Sequence, residues 1–281
     1  MTLPDIGFIG AGQIGEPMVE KFLATGRRTA VYARREEVRD RLAGRGAIIA
    51  AHQEELAAAP VVVTCLFSDA HVLQECTPII EKMSPGSLFI SHTTGSPLMI
   101  QRLRDIGHKG GVSVVEAPFS GKPEDIRRGE LTVLLAGDDD AVDVAAGVVA
   151  AYASNIHRTG PLGTALAAKL LNNALFAACS QLTLSALAAG RSLGLDENKL
   201  LDVLAVSSGG STAARYVAAS EQDAQTYSAR LPRYLRKDLA SVRTVTADLG
   251  IDIEDLLAAA ERGPMDLDDR VQADGLEKSR A

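Results

Sequence analysis

Residues 5–15 read DIGFIGAGQIG, and this stretch predicts how the first half of the chain folds. The apolar run at 5–10 predicts a strand, which passes at once into a G-x-G-x-x-G spacing at Gly10, Gly12 and Gly15. A helix is predicted to follow at 15–25. A glycine-rich turn between a strand and a helix, followed by a second strand, is typical of a dinucleotide-binding loop.

The loop at 10–15 offers a physical means of holding a pyrophosphate. Gly10 permits a tight turn, Gly12 lets the backbone approach the phosphates, and Gly15 lets the helix pack closely on the strand. The helix N-terminus adds free N–H donors and a favourable dipole. A glycine-rich turn without a ligand is the alternative. The predicted cofactor contacts in this loop are Gly10, Ala11, Gly12, Gln13, Ile14 and Gly15.

The end of the second predicted strand, Thr29–Tyr32, indicates which dinucleotide would bind. Enzymes that use NAD usually place Asp or Glu there, against the ribose 2′-hydroxyl. This chain has Arg34 and Arg35 instead, and its first carboxylate is Glu36. Guanidinium groups suit a 2′-phosphate, so NADP(H) is predicted in preference to NAD(H). Alternatively, both arginines are solvated charges at the start of a helix.

Short apolar runs continue to alternate with helical segments up to about residue 160. This alternation implies βαβ units and a parallel sheet with right-handed crossovers. A helix is predicted at 36–43, and further strands are predicted at 48–51, 60–66, 87–91, 111–116 and 131–136.

The pattern changes after residue 160. Ala and Leu occupy nearly every face of 162–193, which lacks Pro and predicts a long buried helix. The predicted fold is an α/β Rossmann-type N-terminal domain at 1–160 and an all-α C-terminal domain at 161–281, joined by a long helix. The polar end at 265–281 is predicted to be loosely ordered. Further helices are predicted at 196–205, 233–249 and 253–262.

Charge and composition exclude several classes of function. The chain has 29 Lys and Arg against 36 Asp and Glu, a net charge of −7, which gives no support to binding of nucleic acid or of a membrane surface. Aromatic residues make up 4% and Trp is absent, which argues against base-stacking platforms. Polar residues interrupt the apolar stretch 162–193, so no membrane span is predicted.

The spacing of the cysteines and histidines indicates the redox compartment of the protein and whether a metal site is expected. Cys65, Cys76 and Cys179 are odd in number and widely spaced, which predicts free thiols in a reducing compartment such as the cytoplasm. The five histidines show no metal-ligand spacing, so no metal site is predicted. His92 is expected to face solvent in a loop, with entry into an active site as the alternative.

A lysine inside the long apolar helix is the first candidate for chemistry. Lys169 and Asn173 are four residues apart, so the ammonium and the amide share a helix face. Burial lowers the pKa of a lysine, which suits it to exchange a proton near neutral pH. The alternative is a lysine whose stem covers apolar surface while its ammonium reaches solvent.

Four motifs in order resemble the β-hydroxyacid dehydrogenases, the group that contains 3-hydroxyisobutyrate dehydrogenase, tartronate semialdehyde reductase and 6-phosphogluconate dehydrogenase. Residues 7–18 resemble the opening signature of that family, and 116–121 (EAPFSG) resemble its substrate loop. The sequence GPLG at 160–163, followed by KLLNN at 169–173, resembles its catalytic segment. Lys237-Asp238-Leu239 resembles a later element. The resemblance covers nearly the whole chain.

The resemblance implies an oxidoreductase that interconverts a small semialdehyde or keto acid and its hydroxy acid. Lys169 would be the general acid in reduction and the general base in oxidation, and Asn173 would orient the substrate. Ser120 and Gly121 would hold a carboxylate, so a small carboxylate-bearing substrate is expected. The further cofactor contacts that the resemblance implies are Leu66, Phe67, Thr94 and Lys237.

The chain departs from the family at its substrate loop. The family usually has Gly-Gly after the loop serine, whereas this chain has Gly121-Lys122. Lys122 would either bind a second anionic group of the substrate or point to solvent. The apolar surface of the helical half implies a homodimer or homotetramer. An imine reductase on the same fold and a non-catalytic NADPH-binding scaffold are the alternative functions, and Lys169 counts against both.

Overall fold

The structure is a computed structural model that describes residues 3–220, 223–248 and 250–267. The chain divides into two compact units, at residues 1–169 and 170–281. Composition places the change of pattern at residue 160, whereas packing places it inside a helix nine residues later. The physical reason is that the first turn of that helix packs with the sheet, since Leu166 is buried in a core cluster of the first unit. Residues 268–281 of the predicted polar tail lie outside the described residues.

The first unit is built on one mixed sheet. Across the sheet the described strands run in the order β3-β2-β1-β4-β5-β6-β8-β7, and β9 pairs with β8. The strands are β1 (Ile6–Ile9), β2 (Thr29–Tyr32), β3 (Ile48–Ile49), β4 (Val61–Thr64), β5 (Leu88–Ser91), β6 (Ser113–Glu116), β7 (Phe119–Ser120), β8 (Leu131–Ala136) and β9 (Ala153–Gly160).

Helices cover both faces of this sheet. Phe8 belongs to one apolar cluster and Ile9 to another, because neighbouring residues of a strand point to opposite faces. Both clusters are buried, which explains why the strands are continuously apolar. A 3-10 helix lies at Gln53–Ala58. The α-helices are α1 (Gly15–Ala24), α2 (Glu36–Ala43), α3 (Asp69–Lys82), α4 (Pro97–Lys109), α5 (Pro123–Arg128) and α6 (Asp139–Val149).

The predicted parallel sheet is confirmed from β3 to β6, where every neighbouring pair is parallel. It is wrong at β8, which is antiparallel to both β6 and β7, although β9 pairs with β8 in parallel. The strands β7 and β9 were not predicted. The first has only two residues, and the second is a largely exposed strand with a polar sequence, so neither carries a clear apolar pattern.

The described part of the second unit is helical. It starts within α7 (Thr164–Ser192) and packs around a core that includes Leu170, Ala174 and Ala177. The side chain of Gln181 on α7 makes two hydrogen bonds to the backbone of Met265. Its Nε2 donates to Met265 O at 2.7 Å, and its Oε1 accepts from Met265 N at 2.9 Å. The other helices are α8 (Glu197–Val206), α9 (Thr212–Ala218), α10 (Ala224–Ser228), α11 (Pro232–Asp248) and α12 (Glu254–Glu261).

The predicted fold class is confirmed: a Rossmann-type α/β unit is followed by a helical one, and a single long helix, α7, leads from one to the other. By length and composition alone, α7 could also cross a membrane, and half of its most apolar window is buried inside the protein. Core helices of soluble proteins meet the same criterion, so length and composition do not separate the two.

Candidate cofactor and substrate site

The glycine loop after β1 has three positions with different steric demands. Gly10 has φ +98°, and a Cβ there would lie 2.3 Å from the carbonyl oxygen of Cys65. A Cβ on Gly15 would lie 2.2 Å from the carbonyl oxygen of Gly10. A Cβ on Gly12 would meet no described atom within 4 Å. The turn therefore needs glycine at the first and last positions, and the space over Gly12 is open to a ligand.

A pocket of about 300 Å³ opens beside this loop, at the carboxyl ends of β1, β2 and β4. It holds seven of the predicted cofactor residues: Gly10, Ala11, Gly12, Arg34, Arg35, Leu66 and Phe67. The other five predicted cofactor residues are not among its lining residues: Gln13, Ile14, Gly15, Thr94 and Lys237. The residues that sequence reasoning missed are Ile9, Tyr32, Ala33, Val38, Cys65, His71 and Glu75.

Several of the missed residues adjoin predicted ones along the chain, so extending each motif by one residue would have found them. His71 and Glu75 are different. They stand four residues apart on α3 and reach the pocket from another element. Nothing in their local sequence indicates this placement, because it depends on how α3 packs on the sheet.

The pocket is rich in cationic groups at the end of β2. Arg34 and Arg35 are exposed there, and Arg39 Nη1 donates to Arg34 O at 3.0 Å, which holds the turn before α2. Glu16, in the first turn of α1, forms an ion pair with Arg41, whose Nε donates to Glu16 Oε1 at 2.7 Å. This hydrogen bond lowers the pKa of Glu16. Arg35 also interacts electrostatically with Glu16, but the guanidinium groups of Arg34 and Arg35 are both exposed at the pocket and can bind a phosphate.

The loop after β5 is tied to the loop after β4. Thr93 Oγ1 donates to Leu66 O at 2.9 Å and accepts from Leu66 N at 3.1 Å. Ser96 Oγ donates to Asp69 Oδ2 at 2.6 Å. Thr94, which the resemblance placed near the cofactor and substrate, is partly buried between these two anchors.

His92 lies in the core, so the expectation that it faces solvent is wrong. It is 1% exposed, with its Nδ1 2.6 Å from Ala117 O and its Nε2 2.7 Å from the Tyr152 hydroxyl. Burial lowers the pKa of His92 to about 4, against the opposing effect of the Ala117 hydrogen bond. His92 is therefore neutral at physiological pH.

The predicted substrate residues follow β6. Ser120 ends the short strand β7 and is exposed, and Lys122 is exposed at the start of α5. Gly121 has φ +138°, and a Cβ there would lie 2.8 Å from Leu131 Cδ1. The backbone N–H of Lys122 donates to Asp125 Oδ2 at 2.7 Å, which fixes the main chain. Whether the Lys122 ammonium binds substrate stays a prediction.

The buried carboxylate of Glu116 accepts hydrogen bonds from backbone N–H groups at the N-terminus of α7. Glu116 Oε1 accepts from the backbone N–H groups of Gly163 at 2.9 Å and Ala165 at 2.7 Å, with Leu166 at 3.4 Å. Glu116 Oε2 is buried without a hydrogen-bond partner among the described atoms. Burial raises the pKa of Glu116 to about 7, although the three N–H groups oppose this. Glu116 was quoted in a sequence motif, but no role was predicted for it.

The proposed catalytic residues lie on α7. Lys169 is the last residue of the first unit and is partly buried, about one turn after the amides that Glu116 accepts. In the second unit, Asn173 Nδ2 donates to Asp238 Oδ2 at 2.6 Å, and Lys237 Nζ lies 3.8 Å from Asp238 Oδ1. Sequence reasoning missed Asp238 as the partner of Asn173, although it quoted the motif that contains it.

Within residues 3–220, 223–248 and 250–267, no group of three or more His, Cys, Asp or Glu side chains could hold a metal ion. The three cysteines are free thiols.

Two protein families match the chain in succession. Residues 5–160 match the family described as the NAD binding domain of 6-phosphogluconate dehydrogenase. Residues 163–265 match the family described as NAD-binding of NADP-dependent 3-hydroxyisobutyrate dehydrogenase. The two matches meet at the start of α7.

Individual relatives fall in the same group. The NAD-dependent L-serine dehydrogenase of Pseudomonas aeruginosa is 29% identical over 215 residues, which cover 75% of this chain and 72% of that protein. The mitochondrial 3-hydroxyisobutyrate dehydrogenase of Homo sapiens is 29% identical over 208 residues, 73% of this chain and 62% of that protein. The second match thus spans less than two thirds of the human protein.

Solved structures share the fold over nearly the full length. A Mycobacterium tuberculosis 3-hydroxyisobutyrate dehydrogenase with L-serine has a TM-score of 0.83 at 22% identity, covering 97% of this chain and 99% of that chain. An imine reductase from Aspergillus terreus has a TM-score of 0.66 at 21% identity, covering 93% and 94%. At these identities the likeness shows the fold alone.

Proposed function

The chain belongs to the β-hydroxyacid dehydrogenase family, and we propose that it interconverts a small 3-hydroxy carboxylic acid and the corresponding semialdehyde, with NADP(H) preferred. Membership makes it an NAD(P)-dependent hydroxyacid dehydrogenase of the 3-hydroxyisobutyrate dehydrogenase type. The observation that carries the proposal is Lys169, a titratable group on α7 within a segment that matches this family.

The pocket beside the glycine loop is proposed to hold the adenosine and phosphate parts of the dinucleotide. Gly12 leaves room for a pyrophosphate, and the start of α1 supplies backbone N–H groups. Arg34 and Arg35 are proposed to bind a 2′-phosphate, which supports the preference for NADP(H). The bound nicotinamide supplies or accepts the hydride. The protein's own part is to bind, to orient and to move protons.

The proposed substrate class follows from the relatives and the loop after β6. L-Serine and 3-hydroxyisobutyrate, the compounds in the relatives' names, are both small acids with a hydroxyl on the third carbon. Ser120 is exposed, and Gly121 has a φ of +138°, a conformation that residues with side chains rarely adopt. We assign to Ser120 and Gly121 the binding of the substrate carboxylate, with Lys122 close by in sequence as a further cation.

Lys169 is proposed to take the proton of the substrate hydroxyl in oxidation and to return it in reduction. In reduction an ammonium would also stabilise the negative charge that develops on the carbonyl oxygen. Asn173 is proposed to orient the same group, and Asp238 holds its amide in place. A positioned acid or base of this kind contributes on the order of 10²- to 10⁴-fold to rate.

Steady-state kinetics with substrates in both directions test this proposal. L-Serine and 3-hydroxyisobutyrate are offered with NAD⁺ and NADP⁺, and small semialdehydes, glyoxylate and cyclic imines with NADPH. One hydroxy acid is expected to turn over, and Lys169→Ala should lower kcat on the order of 10²-fold or more. Lys169→Arg should also fail, because an arginine keeps the charge but does not release its proton.

Lys199→Ala, an exposed lysine on α8, is the matched control and should keep wild-type rates. Turnover of cyclic imines alone would favour the imine reductase, whose fold this chain shares. Binding of NADPH without turnover of any compound would favour the non-catalytic scaffold. Hydroxy acid turnover that is indifferent to Lys169 would leave the activity standing and remove Lys169 from it.

We also propose that the protein is a cytoplasmic homodimer or homotetramer. The three free thiols support a reducing compartment. Exposed leucines on α7 support self-association, as described below.

A further inference from the structure

The dipeptide His92-Thr93 lies between two loops with different proposed tasks. Thr93 is bonded to Leu66, which lines the cofactor pocket, and His92 is bonded to Ala117 at the start of the substrate loop. We infer that His92 positions residues 117–122, the segment between β6 and α5 that carries the proposed substrate residues and forms the substrate loop, whereas Thr93 positions the loop that lines the cofactor pocket. This inference rests on the proposed function of the substrate loop.

His92 holds the substrate loop by two contacts. Its Nδ1 lies 2.6 Å from Ala117 O, and its ring packs edge-on against Phe119 with centroids 6.1 Å apart. A carbonyl oxygen only accepts, so Nδ1 carries the hydrogen. Since the ring is neutral, Nε2 is an acceptor, and the Tyr152 hydroxyl at 2.7 Å is its donor.

Tyr152 is a rigid support for this arrangement. It is fully buried, and its ring packs edge-on against Phe22 of α1 at 5.3 Å. The Ala117 carbonyl can only accept, so it fixes the imidazole hydrogen on Nδ1. The Tyr152 hydroxyl can donate or accept, and in this tautomer it donates to Nε2 and so supports the ring that holds the substrate loop.

The loop also has supports that are independent of His92. Strand β7 pairs with β8, with Ser120 opposite Thr132, and Leu134 N donates to Pro118 O at 2.9 Å. The loop is thus held both by β8 and by His92. Removal of the imidazole would leave the buried Ala117 carbonyl without its side-chain donor, so the segment should shift or loosen.

The loop beside the cofactor pocket is held by hydrogen bonds of its own. Effects on cofactor binding and effects on substrate binding should therefore be separable. Thr93 Oγ1 makes two hydrogen bonds to the backbone of Leu66, and Ser96 is bonded to Asp69. None of these bonds involves the imidazole. Changes at His92 should therefore alter substrate binding, and changes at Thr93 should alter cofactor binding.

The experiment compares four variants with the wild-type protein in substrate KM, kcat and the Kd of NADPH. His92→Phe keeps a ring against Phe119 but removes both hydrogen bonds, and it should raise substrate KM on the order of tenfold, with kcat and cofactor Kd within about threefold. His92→Asn has an amide that can donate to Ala117 O, and it should restore KM to within about threefold of wild type.

Tyr152→Phe should raise KM severalfold, and it tests the same network if His92→Phe fails to fold. Thr93→Val should instead raise the Kd of NADPH. An unchanged KM in both His92→Phe and Tyr152→Phe would overturn the inference. So would a His92→Asn variant as impaired as His92→Phe, or a cofactor Kd that rises in step with KM.

Amide hydrogen exchange separates this inference from the proposed function, because it needs no turnover. His92→Phe should speed exchange at 117–122 and leave 65–68 unchanged. If the wild-type protein oxidises no hydroxy acid but this exchange pattern appears, the function fails and His92 still positions the loop. If exchange at 117–122 does not change, the positioning role fails whatever the substrate.

Discussion

Single residues around the glycine loop divide into those that the fold needs and those that leave room for a ligand. A Cβ at Gly15 would lie 2.2 Å from the Gly10 carbonyl oxygen, whereas a Cβ at Gly12 would meet no described atom within 4 Å. The same spacing motif therefore contains a packing glycine and a binding glycine. A pair of alanine substitutions can tell them apart.

Gly15→Ala is expected to lower the free energy of unfolding by about 1–3 kcal/mol, because the helix must move away from the strand. Gly12→Ala should leave that free energy within about 0.5 kcal/mol but weaken NADPH binding. Urea unfolding and titration of NADPH fluorescence measure the two quantities. Equal losses of stability in both variants would contradict this division.

Arg34 is the residue on which cofactor preference is expected to depend. Its guanidinium is exposed at the pocket and can pair with a phosphate that NADPH has and NADH lacks. Arg34→Ala should raise the KM for NADPH on the order of tenfold and the KM for NADH less than threefold. Arg104→Ala, an exposed arginine on α4, is the control. Equal changes for both cofactors would refute a role in selecting NADP(H).

At the scale of elements, the N-terminus of α7 is hydrogen-bonded to a side chain from a strand distant in sequence. Its first amides are received by Glu116 at the end of β6, so the helix that carries Lys169 is tied to the strand that leads into the substrate loop. A carboxylate at a helix N-terminus is favoured by the helix dipole. The burial of this carboxylate has the opposite effect on its charged form.

The raised pKa of Glu116 predicts a pH dependence of stability. Its ordinary value is 4.5 and its folded value is about 7, so the native state binds more protons than the unfolded state between these values. The contribution of Glu116 to stability is therefore fully present below about pH 4.5 and is lost as pH rises to about 7. At about 1.4 kcal/mol per pKa unit, the loss is on the order of 3 kcal/mol.

Glu116→Gln should remove this dependence, because an amide does not titrate in this range. Urea unfolding at pH 5 and pH 7.5 measures it: the wild-type protein should lose stability relative to Glu116→Gln as pH rises. Glu81→Gln, an exposed carboxylate on α3, should follow the wild type. A constant difference between wild type and Glu116→Gln at both pH values would show that Glu116 does not titrate in the native state.

At the scale of the whole molecule, the long helix leaves an apolar stripe uncovered. Leu171, Leu175 and Leu182 are 43%, 57% and 61% exposed, and their spacing of four and seven residues places them on one face of α7. Val203 and Val206 of α8 are also exposed. Exposed apolar side chains grouped on one face favour contact with a second copy.

Leu175→Glu combined with Leu182→Glu should convert the protein to a monomer at micromolar concentration, since the charges would be buried in the interface. Sedimentation equilibrium measures the mass, and circular dichroism checks that the helices remain. Leu98→Glu, an exposed leucine on α4, is the control and should keep the wild-type mass. A double variant with unchanged mass would place the interface elsewhere.

Local sequence was sufficient for the elements with a strong period. Strand β1, the glycine loop, α1 and α2 follow from apolar spacing and turn chemistry, and the predicted helix at 36–43 coincides with α2. Local sequence was insufficient at the far edge of the sheet, where β7 and β9 lack an apolar period. It also missed His71 and Glu75, which reach the pocket only because α3 packs beside it.

The sequence by itself therefore determined the two-part architecture, the dinucleotide loop and the family, because these depend on residues close together in the chain. Only the tertiary structure decided the surroundings of His92 and Glu116. The sequence predicts solvent exposure for a histidine after a strand, yet His92 is buried against Tyr152, 60 residues away, and burial lowers its pKa so that the ring is neutral. The pKa of Glu116 is likewise raised by burial and lowered in part by amides 47 to 50 residues later. Burial and hydrogen-bond partners from distant segments arise only when the chain is folded.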